Sequence, residues 1–182
     1  MTSSQKSFLE KISPMVRTVS KNTGILSSVI LAQAILESAW GTSTLAQKAN
    51  NLFGIKAASN WLGDTITAQT KEVRAGKEVI EEANFRSYPS LSRGIMDYGN
   101  FFTSTPWRIQ NYQQFRQSVG YIQAVIELQK SGYATDPNYA EKLKSIIGNR
   151  PITRYLSTHS FLQYTVIKNK LEDSLCLSPS SH

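Results

Sequence analysis

Two polar side chains interrupt an otherwise apolar run between Ser27 and Trp40, SSVILAQAILESAW. Gln33 and Glu37 stand four residues apart and so share one side of a helix. Val29, Ile30, Leu31, Ala32, Ala34, Ile35 and Leu36 surround them in every direction, the pattern of a buried helix. Glu37 falls in the last turn before Gly41, where helix carbonyls carry partial negative charge. Desolvation and that dipole both favour the neutral acid. A carboxyl group that keeps its proton beside an apolar wall is equipped for general acid catalysis. Taken alone, the pattern also fits a helix-end Glu that reaches solvent or pairs with a Lys or Arg.

Two further carboxylates fall at positions that could do chemistry. From Thr65 to about Val73 the period changes to two, with Ile66, Ala68, Thr70 and Glu72 on one strand face. Ala75-Gly76 can turn the chain, and Val79 to Tyr88 runs back, which predicts one β-hairpin with Glu72 near its tip. The plain reading of Glu72 is a solvated strand charge; Glu78, Glu81 and Glu82 read as surface charge. Asp97 sits inside a helix expected over Leu91 to Phe102, a place that propensity does not favour.

The elements that must position these groups are mostly helical. Residues from about Ser4 to Val19 read as an amphipathic helix with Phe8, Ile12, Met15, Val16 and Val19 on one face, and Pro14 able to kink it. A short helical piece is expected at Thr44 to Lys48, then an apolar link, Leu52 to Lys56. Trp61 lies at the centre of a loop. Thr105-Pro106-Trp107 opens a loop or helix, Tyr112 to Gln117 a helical turn, and Tyr121 to Lys130 a further helix. After Gly132, Asp136 reads as an N-cap and Pro137 as the first helical position. The helix beyond carries Tyr139, Leu143, Ile146 and Ile147 as its apolar set. Past Gly148 the periodicity is lost, and Leu175 to His182 reads as a disordered polar tail.

At 182 residues the chain is of single-domain size. Its net charge of +7 favours an anionic partner. The absence of Arg-rich runs and zinc-finger spacing argues against sequence-specific nucleic-acid reading. A single cysteine, Cys176, excludes a disulfide framework within one chain, and with only His159 and His182 beside it a His/Cys metal site is not expected. The N-terminus is too polar for a signal peptide and no stretch is long enough to span a bilayer.

The blocks AQAILESAWGTS, NNLFGIKA, TKEV in a hairpin and GYATDPNYAEKL, in that order, resemble glycoside hydrolase family 73, the peptidoglycan N-acetylglucosaminidases of bacteria and phages. The resemblance covers roughly residues 8–147. It implies an α+β, mainly α, lysozyme-like fold in which a helical lobe and a small β-hairpin lobe flank a glycan groove. It implies a catalytic domain over residues 1–150 and an extension over 151–182 that matches nothing recognisable. By position, Glu37 corresponds to the family's general acid and Glu72 to its second acidic residue. Tyr133 corresponds to a tyrosine lining the cleft, Asp97 to an acidic residue supporting the site, and Trp61 to a groove aromatic. TKEV lacks the aromatic that often follows the Glu.

The implied reaction is hydrolysis of the β-1,4 bond between N-acetylglucosamine and N-acetylmuramic acid, with no metal or other cofactor. Glycoside cleavage commonly uses one protonated and one ionised carboxyl group. Glu72 would then act as general base, or the substrate's own acetamido group would attack while Tyr133 and Asp97 hold it. The expected partner is the peptidoglycan glycan strand, met by a monomer outside the cell after release, with neither nucleic-acid binding nor membrane insertion. The competing readings are a muramidase or lytic transglycosylase of the same fold, and a non-catalytic wall-binding module.

Overall fold

The computed structural model describes residues 1–74, 77–149 and 151–152, with the backbone alone at 71–74 and 77–78. The expected Ala75-Gly76 turn and the extension from residue 153 onward, with His159, Cys176 and His182, lie outside the described residues.

Helix α1 (Ser3–Thr23) begins with a capping box: the Thr2 hydroxyl accepts from the Gln5 N–H while the Gln5 side chain accepts from the Thr2 N–H. It ends at Gly24, whose φ of 79° is left-handed. A side chain there would meet the Arg116 carbonyl at 2.8 Å, so glycine is required twice over. The helix buries Leu9, Ile12, Ser13, Val16 and Val19. The expected face is thus turned by one position; Phe8 and Met15 flank it half-buried. Pro14 lies inside an unbroken helix. Pro14 and Glu10 are both exposed, so the helix carbonyl that proline leaves unbonded lies on the solvent side.

Helix α2 (Ser27–Ser38) buries every residue from Val29 to Ile35, as its all-round apolar character predicts. It is wrapped by α1, α7 (Tyr121–Lys130) and α8 (Tyr139–Gly148). Helix α4 (Leu91–Phe101) packs against α1, and the short α3 (Thr44–Ala49), α5 (Pro106–Asn111) and α6 (Gln113–Gln117) complete the helical lobe. Thr105 caps α5 by accepting from the Arg108 N–H, with Pro106 in the first turn.

Strands β1 (Thr65–Arg74) and β2 (Lys77–Arg86) pair antiparallel in one continuous register from Thr65 opposite Arg86 to Arg74 opposite Lys77. Ile66, Ala68 and Thr70 are half-buried while Thr65, Thr67 and Gln69 are exposed, the alternation a one-sided hairpin requires. The return strand stops at Arg86 rather than Tyr88. Beyond it the Ser87 N–H donates to the Asp64 carbonyl and the Tyr88 N–H to the Ala49 carbonyl, which draws the chain off the hairpin toward the helical lobe.

Asp136 does not cap α8. The helix starts at Tyr139 behind Asn138, and Asp136 instead accepts from the Asn138 N–H at 2.8 Å. Its carboxylate closes the turn ahead of the helix, the local bonding that Asp offers as readily as a cap.

Candidate active site

Glu37 owes its position to an abrupt helix end. Ala39, Trp40 and Gly41 follow α2 with φ of 48°, 61° and 78°. Left-handed backbone costs an ordinary residue about 1–2 kcal/mol, so two non-glycine residues in succession must be held there. The Trp40 N–H returns to the Ile35 carbonyl, and the buried Ser38 hydroxyl accepts from the Gly41 N–H at 2.7 Å. Trp40 packs edge-to-face on Phe8, and a side chain at Gly41 would strike the same Phe8 ring at 2.7 Å. The chain therefore leaves the helix axis after Ser38, one residue past Glu37, whose carboxyl group stands at the floor of an open cleft.

That cleft, of about 730 Å³, lies between the lobes. Leu36, Glu37, Tyr133, Tyr139 and Lys142 form its helical wall, and Gln69 and Thr70 of β1 with Phe85 of β2 form the hairpin wall. Phe101 and Arg108 close one side and residues 53–58 another. Water reaches Glu37, yet the volume around it is filled mostly with protein. This crowding raises its pKa above the ordinary carboxylate value. The Tyr139 hydroxyl, donating to Oε1 at 2.7 Å, opposes the rise. Lys142 also lowers the pKa and Asp136 raises it, both through charge. Desolvation wins, so the environment favours a retained proton, the state a general acid needs.

Behind Glu37 stands the other polar residue of the helix. Gln33 is fully buried. Its Nε2 donates to the Tyr139 hydroxyl at 3.0 Å, and its Oε1 accepts from the Tyr98 hydroxyl. Tyr133 lies near enough to this amide for Gln33 to offset part of the rise in its pKa. Burial raises the pKa of all three tyrosines, so they remain neutral phenols.

Of the residues singled out in the sequence, Glu37 and Tyr133 share this cleft. Tyr133 is held by rings: it stacks on Phe102 at 5.8 Å and meets Phe101 and Tyr139 at 6.0 and 5.9 Å. Glu72 follows the cleft-lining Thr70 by two positions on β1, opposite Val79; its side chain lies outside the described residues. Trp61 and Asp97 line a separate pocket of about 390 Å³, together with Tyr88, Met96 and Arg93. There the Asp97 carboxylate accepts from Arg86 at 2.8 Å and from the Tyr88 hydroxyl at 2.7 Å. Arg86 in turn lies 4.4 Å over the Trp61 ring. The two pockets are neighbours: Arg108, in the Glu37 cleft, feels the charges of both Arg86 and Asp97.

Tyr139, the direct partner of Glu37, escaped the sequence reading as a site residue. Its spacing with Leu143 and Ile147 marks it as core, and its ring is indeed buried. The remaining signal is its phenol, which a buried Tyr must bond to something. Arg108 and Lys56 also line the cleft with no distinguishing spacing.

A glucosaminidase family model, described as mannosyl-glycoprotein endo-beta-N-acetylglucosaminidase, matches residues 13–150. The chain belongs to glycoside hydrolase family 73. Among its family 73 relatives, the exo-glucosaminidase LytG of Bacillus subtilis is 36% identical over 171 residues, 93% of this chain and 60% of LytG. The peptidoglycan hydrolase FlgJ of Vibrio parahaemolyticus is 36% identical over 146 residues, 79% of this chain and 46% of FlgJ. The chain thus spans less than two-thirds of these curated relatives. A crystal structure of a peptidoglycan hydrolase mutant from Sphingomonas sp. A1 superposes with a TM-score of 0.75 at 30% identity, covering 84% of this chain and 99% of that one. The family 73 architecture is the lysozyme-like one expected: a mainly helical body with a two-stranded hairpin, and Glu37 in the cleft between.

Proposed function

We propose that the protein hydrolyses the β-1,4 bond between N-acetylglucosamine and N-acetylmuramic acid within peptidoglycan strands, as an endo-acting N-acetylglucosaminidase. The observation that carries this reading is Glu37: a carboxyl group biased toward its protonated form, bonded by Tyr139, at the floor of an inter-lobe cleft. Glu37 protonates the leaving oxygen. Glu72, on the strand that walls the cleft, serves as general base on water and gives inversion. Tyr133 lines the reacting subsite, and Trp61 and Asp97 extend the groove past Arg108. The net positive charge of the chain suits a wall bearing anionic stem carboxylates. The enzyme works as a monomer at the cell wall.

Digestion of purified sacculi followed by mass spectrometry tests the reaction. N-acetylglucosamine at the new reducing ends is the expected product; N-acetylmuramic acid there identifies a muramidase instead. Glu37→Gln should release no soluble sugar while keeping the fold, and normal activity in that variant rejects the assignment. Long soluble fragments early in the digest mark endo cleavage, and single residues released from strand ends mark exo cleavage.

A further inference from the structure

The network behind Glu37 has a direction. Four side chains from three helices are joined in series: Tyr98 of α4 donates to Gln33 Oε1, Gln33 Nε2 donates to Tyr139 of α8, and Tyr139 donates to Glu37 Oε1. Tyr98 and Gln33 are wholly buried and touch no part of the cleft surface. An amide has one acceptor end and one donor end. Gln33 Oε1 is the acceptor found for the Tyr98 hydroxyl among the described residues, so a reversed amide would leave that buried hydrogen unbonded; the amide keeps Oε1 on Tyr98 and presents its N–H to Tyr139. Tyr139 then receives a hydrogen on its oxygen and has its own hydrogen left to give, and the acceptor it gives it to is Glu37 Oε1.

We propose that Tyr98 and Gln33 are positioning residues for the reaction: by fixing the direction of each hydrogen bond in this series, they commit Glu37 Oε1 to accepting, so that the catalytic proton resides on Oε2. The inference rests on the reading of Glu37 as the acid. It makes the two oxygens of one carboxyl group unequal before substrate arrives. Hydrogen bonds in series polarise one another, so the Gln33 bond also strengthens the Tyr139 donor. Without Tyr98 the amide is free to reverse, Oε1 takes the Tyr139 hydrogen, and Glu37 loses its donor.

The test is a carbon NMR titration of the Glu37 carboxyl carbon in protein labelled at glutamate, assigned by its loss in Glu37→Gln. Among the described residues, the charged groups that face Glu37 are Lys142 and Asp136, with Lys56 and Arg108 along the cleft, beside the neutral phenols Tyr133 and Tyr139; none is altered in Tyr98→Phe. Tyr139→Phe should tighten proton binding at Glu37 by roughly tenfold, the loss of a hydrogen bond to a charged group. Tyr98→Phe, which removes one buried oxygen 61 positions away along the chain, should move it the same way by about threefold or more. The double variant should move no further than Tyr139→Phe alone. Gln33→Met, which cannot donate to Tyr139, should also move it upward and serves if Tyr98→Phe does not fold. A folded Tyr98→Phe or Gln33→Met with the parental Glu37 titration overturns the proposal, whatever its melting temperature. Activity of Glu37→Gln on sacculi is read separately: if it persists, the acid assignment fails while the titration still reports on the series of bonds.

Discussion

Arg86, the last residue of β2, donates to Asp97 of α4 at 2.8 Å, and so ties the base of the hairpin to the helical lobe. Only 12% of the Arg86 side chain and 22% of the Asp97 side chain is exposed, so the pair is shielded from water. Tyr88 donates to the same Asp97 oxygen. Two of the three groups come from the stretch that leaves the hairpin, so this carboxylate decides how the hairpin wall sits against the helices.

Asp97→Asn should therefore destabilise the protein by about 2–3 kcal/mol, because it leaves a shielded guanidinium without its counter-charge. Denaturant unfolding measures the loss. Well below the melting point the variant should also show a raised KM on glycan, since Asp97 holds Arg86 at the base of the hairpin that walls the cleft. A stable variant with raised KM would make Asp97 a substrate contact alone.

Asn51 makes a second anchor with a different job. It is 1% exposed, and its side chain donates to the Ile55 carbonyl at 3.0 Å and the Arg86 carbonyl at 2.9 Å while accepting from the Ile55 N–H at 3.0 Å. It thus clamps residues 51–55, part of the cleft wall, to the end of β2. Asn51→Ala removes the partner of the Ile55 N–H and of the Arg86 carbonyl, while the Ile55 carbonyl keeps the Arg86 N–H, and should cost about 2–4 kcal/mol by urea unfolding. Asn51→Asp should cost a similar amount, because it replaces the two donations with a carboxylate facing two carbonyls.

The carboxyl group at the cleft floor should work against the fold. In the folded chain, crowding holds the Glu37 pKa above its ordinary value, which the unfolded chain retains. Between those two values the folded state binds more protons, so stability falls as pH rises through that window and stays lower above it. Glu37→Gln removes the effect. Its melting temperature should exceed the parent's at about pH 8 and match it at about pH 3.5, below the ordinary Glu value. Equal differences at both pH values would show that Glu37 titrates normally.

What the sequence disclosed and what it hid divide along physical lines. Glu37 stood out as a lone acid at the end of an all-apolar helix, a pattern that a solvated or ion-paired Glu also fits, and the hairpin stood out because a period of two is hard to mistake. Tyr139 was hidden because one residue serves two ends: its ring packs with Leu143 and Ile147 while its hydroxyl reaches a carboxylate 102 positions earlier. Spacing reports the ring and says nothing of the oxygen. Asp97 was visible as an oddity within a helix, but its partners Arg86 and Tyr88 come from the far end of the hairpin, and a pairing across elements leaves no local pattern. Asp136 was misread as a cap because capping and turn closure ask the same thing of Asp, a short acceptor two or three residues ahead of an N–H.

Lys142 and Asp136 should tune the acid in opposite directions. They pair at 2.6 Å near the rim, where both side chains remain open to water, at 54% and 31% exposure. Removing either should change stability by less than about 1 kcal/mol. Their charges nonetheless reach Glu37, the lysine lowering its pKa and the aspartate raising it. A general acid acts while protonated, so the alkaline limb of the activity profile follows its pKa. Lys142→Gln should carry that limb to higher pH, and Asp136→Asn should carry it to lower pH. The double variant should fall between the two single ones, since each loss offsets the other. Both single variants moving the same way would mean that these residues act through the shape of the turn at residues 136–139 and not through charge.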